Sequence, residues 1–178
     1  MPNDTLWLRE PLCPDAYLRR WLIDRGSLTE RLRARCREFT VEVTAQGGAV
    51  PVRDERVLVG TRPGERALVR EVRLLCDGRP MVFAHSVVSR TGLRGPWRML
   101  SRLGSRPLGA ALFADPRVRR FPLRFAQITR RHPLYARACA AARERPRALW
   151  ARRSLFVAGA SPLLVTEVFL PRLAELPS

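Results

Sequence analysis

From residue 67 the chain alternates. Leu68, Arg70, Val72 and Leu74 fall on one side of an extended backbone, and Val69, Glu71, Arg73 and Leu75 on the other. A period of two is the mark of a β-strand. Cys76-Asp77-Gly78-Arg79-Pro80 follows with the Asp-Gly hairpin signature. The partner strand, residues 81–88, sets Met81, Phe83, His85 and Val87 on one face and Val82, Ala84, Ser86 and Val88 on the other. The same pattern predicts strands at 39–44, broken by Gly47-Gly48, at 121–129, at about 152–158, and at 163–170, where Pro171 closes the run. A weaker strand is expected at 57–59.

Helical spacing appears between these strands. Tyr17 with Trp21 and Leu18 with Leu22 are i,i+4 pairs in a helix predicted at about 15–24. Ser27-Leu28-Thr29-Glu30 has the form of a capping box at the start of the next helix. A second helical hairpin is expected over 96–103 and 107–113, with Pro107 in a first turn. Residues 133–144 form an alanine- and arginine-rich helix. About six strands joined by hairpins, with helices as covers, argue an α+β domain on an antiparallel sheet.

Composition narrows this little. A chain of 178 residues, 46% hydrophobic, suits a single domain over 1–178 with a sizeable core. No apolar run approaches the ~20 residues of a membrane span. Met1-Pro2-Asn3-Asp4 lacks the order of a signal peptide, so a cytoplasmic protein is expected. Cys13, Cys36, Cys76 and Cys139 have no zinc-type spacing and are expected to be reduced packing residues. There is no phosphate-binding loop, dinucleotide fingerprint or nucleophile elbow. The net charge of +17 suggests nucleic acid at first. All 33 basic residues are arginine, however, and they are scattered. That pattern fits a coding bias better than a binding surface, and no nucleic-acid partner is expected.

Three ionisable residues then stand out: Arg70, His85 and Glu167 each sit on an otherwise apolar strand face, the last with Leu163, Val165 and Phe169. A guanidinium keeps its proton, so a buried one requires an anion. If the three faces are one face, the residues share a pocket for a small molecule with a carboxylate at one end and a hydroxyl at the other. The alternatives are an Arg70–Glu167 ion pair serving structure alone and, for His85, a satisfied core histidine. Glu71 and Arg73 read as solvated cross-strand partners. The amides after Ser27 and around Leu108 open helices, and they serve as anion sites or as ordinary caps.

In these segments the chain resembles the chorismate pyruvate-lyase family. The resemblance rests on Ser27-Leu28-Thr29 before a helix, and on Leu68-Val69-Arg70-Glu71-Val72 leading to Asp77-Gly78-Arg79-Pro80. It continues through Leu103-Gly104 with Pro107-Leu108-Gly109, Leu149-Trp150 with Arg152-Arg153-Ser154, and Pro162 to Pro171. It implies a six-stranded antiparallel sheet with helical flaps over an enclosed pocket. It implies elimination of pyruvate from chorismate to give 4-hydroxybenzoate for ubiquinone, with no metal or organic cofactor. The family's carboxylate-binding arginine falls on Arg70 and its hydroxyl-contacting glutamate on Glu167, the two assigned catalytic residues. Backbone amides matching Leu28 and Leu108 complete the carboxylate site. His85 lies where the family has arginine and is counted among the substrate-binding candidates. A monomer, strong product inhibition and release limited by flap motion are expected. The segment at 130–148 is longer than the family pattern. The competing reading is a non-catalytic sensor for small aromatic acids, since ligand-binding domains of some transcription regulators look similar in fold.

Overall fold

A computed structural model describes residues 6–177. Its strands are β1 (Phe39–Ala49), β2 (Ala67–Cys76), β3 (Arg79–Val88), β4 (Val118–Arg120), β5 (Arg124–Ile128), β6 (Leu149–Ala158) and β7 (Ser161–Phe169). Its helices are α1 (Ala16–Ile23), α2 (Leu28–Arg33), α3 (Arg53–Arg56), α4 (Arg90–Arg94), α5 (Leu108–Ala114) and α6 (Pro133–Ala142), with short 3₁₀ turns at Arg98–Arg102 and Pro171–Glu175. The seven strands form one antiparallel sheet in the order β1-β2-β3-β7-β6-β4, with β5 also paired to β6. β4 pairs with one end of β6 and β5 with the other, so the sheet is six strands wide with its last position split in two.

Each face is covered differently. On the front, Trp21, Leu22, Leu28 and Leu32 of the α1–α2 hairpin pack on Val41, Val72 and Leu74. Beside them Trp97, Leu100, Leu108 and Leu112 of the second hairpin pack on Val88, Phe156 and Leu163. On the back, α6 lays Leu134, Ala138 and Cys139 against Phe83, Ala126 and Ala151. The segment at 130–148 is therefore the cover of the rear face.

Several expectations are corrected. The run at 57–59 is not a strand. α3 forms just before it, with Asp54 and Glu55 in its first turn and Glu55 accepting from the Val52 N–H at 3.0 Å. β1 runs through Gly47 and Gly48, because the ladder to Val69 and Leu68 carries them. The strand expected at 121–129 is shortened to β5, and a separate short strand, β4, precedes it. Ser27 Oγ caps the Glu30 N–H, but Glu30 pairs with Arg33 instead of reaching back. Cys36 and Cys76 are joined as a disulfide, with Cα atoms 5.4 Å apart, because the end of α2 lies over the end of β2; Cys13 and Cys139 are free and buried. Among the described residues no helix is long and apolar enough to cross a membrane.

Candidate active site

The strand register decides which side chains meet. Arg70 lies opposite Ser86, Ser86 opposite Val165, and Val165 opposite Ser154. One row along, Val72, Ala84, Glu167 and Arg152 are likewise in line. Both rows face the front and floor a cavity of about 620 Å³, its mouth included, roofed by Leu28 and Thr29 from one flap and Leu108, Leu112 and Phe113 from the other. Arg70 and Glu167 thus share a face. Gly109 closes the roof: a Cβ there would lie 3.4 Å from both Ser27 Oγ and Thr29 Oγ1, so the starts of α5 and α2 nearly touch.

His85 is the exception. It lies on the reverse face, only 1% exposed, and does not line the cavity. The cause is one residue. The Asp77-Gly78 turn, with φ of 50° and 74°, pairs Cys76 with Arg79, a register that would set Arg70 opposite His85. The ladder shifts between Leu74 and Leu75, beside Pro80, which has no N–H to give. That shift puts Ser86 opposite Arg70 and turns His85 to the back. There Nδ1 lies 2.9 Å from Glu71 Oε1 and Nε2 3.2 Å from Glu55 Oε1. Burial would lower the histidine's pKa, but the bonds to Glu55 and Glu71 outweigh it and raise it to about 9. Glu71 is no solvated partner either: it is buried and also receives Arg137 Nη1 of α6 at 2.6 Å. Arg73 does pair across strands with Glu42.

Arg70 and Glu167 are not an ion pair. Arg70 is 2% exposed, and its Nη2 donates to the carbonyls of Gly104 and Arg106 at 2.9 and 3.3 Å. Its Nε is buried without a partner, and burial pushes the guanidinium below its ordinary pKa with no carboxylate to offset it. An unmet charged donor of this kind is uncommon in a finished core. Glu167 is held instead by Arg152, whose Nε reaches Oε2 at 2.6 Å. Arg152 Nη1 also donates to the carbonyls of Trp21, Leu22 and Asp24 at the end of α1, so one side chain fixes both the carboxylate and the first flap.

Arg152 and Arg120 also line the cavity, and alternation alone does not single them out. For Arg152 the signal was present: Arg152, Ser154 and Phe156 share a face of β6 by the same period of two. The Arg152-Arg153 doublet hides it, since one member points front and the other back, where Arg153 meets Asp54 at 2.8 Å. β4, with three residues, has no period to read for Arg120. Among the described residues no group of His, Cys, Asp or Glu is placed to hold a metal ion.

The profile of the family described as Chorismate lyase matches residues 1–175. The chain belongs to the chorismate lyase family. It is 55% identical to a protein of Aromatoleum aromaticum named "Probable chorismate pyruvate-lyase", over 99% of this chain and 98% of the relative. A Thiobacillus denitrificans protein of the same name is 51% identical over 94% of this chain and 89% of its own length. Among solved structures, the PhnF C-terminal domain superposes with a TM-score of 0.59 at 15% identity, over 83% of this chain and 89% of the other. The ligand-binding domain of a putative GntR-family regulator from Bordetella bronchiseptica gives 0.53 at 16%, over 75% and 85%. At those identities the two structures speak for the fold alone.

Proposed function

We propose that this chorismate lyase family member converts chorismate to 4-hydroxybenzoate and pyruvate. The observation that carries the reading is the buried, partly unpartnered Arg70 facing a roofed cavity that holds a fixed carboxylate, Glu167, on the same floor. Arg70 receives the ring carboxylate, assisted by the main-chain N–H groups of Leu28 and Leu108 where the flaps meet. Glu167 accepts the hydrogen bond of the C4 hydroxyl. The C3–O bond then breaks, the C4 proton leaves, the ring becomes aromatic, and enolpyruvate takes up a proton as pyruvate. Orientation and fixed charge supply the rate, since the lost proton and the broken bond are adjacent and aromatisation drives the step.

Arg152 holds the Glu167 carboxylate aimed into the cavity. Val72, Ala84 and Val165 of the floor and the two-flap roof hold the aromatic ring, so strong product inhibition and release limited by the flaps belong to the same reading. A monomer acting in the cytoplasm belongs to it as well. The test is incubation of the purified protein with chorismate, following 4-hydroxybenzoate by chromatography and pyruvate by a coupled dehydrogenase. Equal release of both is expected. A folded protein that yields neither refutes the reading.

A further inference from the structure

Arg120 ends β4 and carries its guanidinium across the front face of β6. Its Nε donates to Ser154 Oγ at 3.2 Å and its Nη1 to the carbonyl of Arg25 in the first flap. Its Cζ lies 5.3 Å from the ring centre of Phe113 and 5.4 Å from that of Phe156. Among the described residues Nη2 has no hydrogen-bond partner and no carboxylate comes within ion-pair distance. The guanidinium is held in place on one side and open on the other.

The charges of the cavity do not balance. Arg70, Arg120 and Arg152 face it, and among the described residues that line it Glu167 is the one carboxylate, with Asp24 acting on Arg120 from beyond the lining. Arg152 and Glu167 neutralise each other at 2.6 Å. Two positive charges remain. Arg70 stands on β2, and Arg120 sits over Ser154 of β6 at the far end of the row through Ser86 and Val165. Three strand spacings, roughly 14 Å, separate those backbones, and two arginine side chains reach inward from each end.

This matches a dianion, and the following step rests on the reading that chorismate is the substrate. With the ring carboxylate on Arg70 and the C4 hydroxyl on Glu167, the enolpyruvyl ether hangs from C3, next to C4. Its carboxylate therefore projects from the Glu167 end of the ring, where Arg120 stands. We propose that Arg120 seats the enolpyruvyl carboxylate and retains it as pyruvate while the C3–O bond breaks. The seat separates substrate from product: 4-hydroxybenzoate has no second carboxylate and does not use it.

Two measurements on R120M and R120K test this: steady-state turnover of chorismate, and calorimetric binding of 4-hydroxybenzoate. R120M is expected to lower kcat/KM about 30-fold, the scale of a lost charge-assisted hydrogen bond, mainly through KM. Its affinity for 4-hydroxybenzoate stays at the wild-type value, and R120K restores part of the loss. A kcat/KM within about threefold of wild type overturns the proposal. So does an equal loss of 4-hydroxybenzoate binding, which would make Arg120 a wall of the flap and nothing more. If R120M does not fold, R120Q carries the same comparison. Wild-type protein that binds 4-hydroxybenzoate without turning over chorismate removes the lyase reading and this seat together; active wild type with an indifferent R120M removes the seat alone.

Discussion

Replacing Arg152 with methionine tests the frame of the site. Arg152 is 1% exposed, and its removal strips Glu167 of its cation and leaves the carbonyls of Trp21, Leu22 and Asp24 without their donor. Breaking a buried pair from one side costs about 3–5 kcal/mol, because the surviving charge stays desolvated. Domains of this size have about 5–15 kcal/mol in hand, so R152M should fold but unfold at clearly lower urea. The pair is isolated by a cycle with E167Q. In the E167Q background no bare carboxylate is left behind, so R152M should cost about 1–3 kcal/mol less than in the wild type. The remainder is the loss of the three carbonyl bonds and should appear as a loosened first flap, measurable as faster amide exchange in residues 16–33. Strict additivity of the two substitutions in urea midpoints would refute the assignment of Arg152 as the partner of Glu167.

Other outcomes follow from the same geometry. Arg70→Ala should lower kcat/KM by about 100-fold or more, and Arg73→Ala by less than about threefold, since Arg73 lies on the reverse face with Glu42; comparable losses would mean the face assignment is wrong. The folded pKa of His85 is raised from 6.5 to about 9, so its stabilisation is complete below pH 6.5 and is lost as pH rises through 9. The full effect is about 3 kcal/mol, read as a fall in urea midpoint between pH 6.5 and about 10 that H85Q should lack. Gly109→Val should splay the flaps, because a Cβ already meets Ser27 and Thr29 at 3.4 Å; release of 4-hydroxybenzoate should quicken several-fold while Gly109→Ala stays near wild type, and unchanged release in G109V would count against a roof closed at that contact.

The front face was legible because a strand's period of two is enforced by the pleat. Arg70 and Glu167 could be set among aliphatic neighbours from spacing alone. What spacing cannot supply is register between strands. His85 shows the consequence: a one-residue shift beside Pro80 moved it through the sheet, and no composition at residue 85 announces that. The rear cover was illegible for a related reason. α6 reads as an alanine- and arginine-rich helix with no assigned place, yet its alanines let it lie close on the sheet while Arg137 reaches Glu71. The bonding partner of Cys36 depends on where α2 lands, which is again long-range.

The two faces of the sheet treat charge in opposite ways, and that difference locates function better than any single residue. Behind the sheet, His85 and Arg137 answer Glu55 and Glu71, and Arg153 answers Asp54. Those charges are matched in ion pairs, and matched polar networks rigidify a core without inviting a ligand. In front, among the described residues that line the cavity, Arg152 and Glu167 are the matched pair. The positive surplus on Arg70 and Arg120 faces a cavity with two roofs that meet at Gly109. A fold that neutralises its buried charges on one face and leaves cations unanswered on the other has left them for an anion that arrives from outside. The unmet donors are therefore where binding energy is still to be gained, and an aromatic-acid product that satisfies Arg70 but not Arg120 should be held less completely than the dianion from which it came.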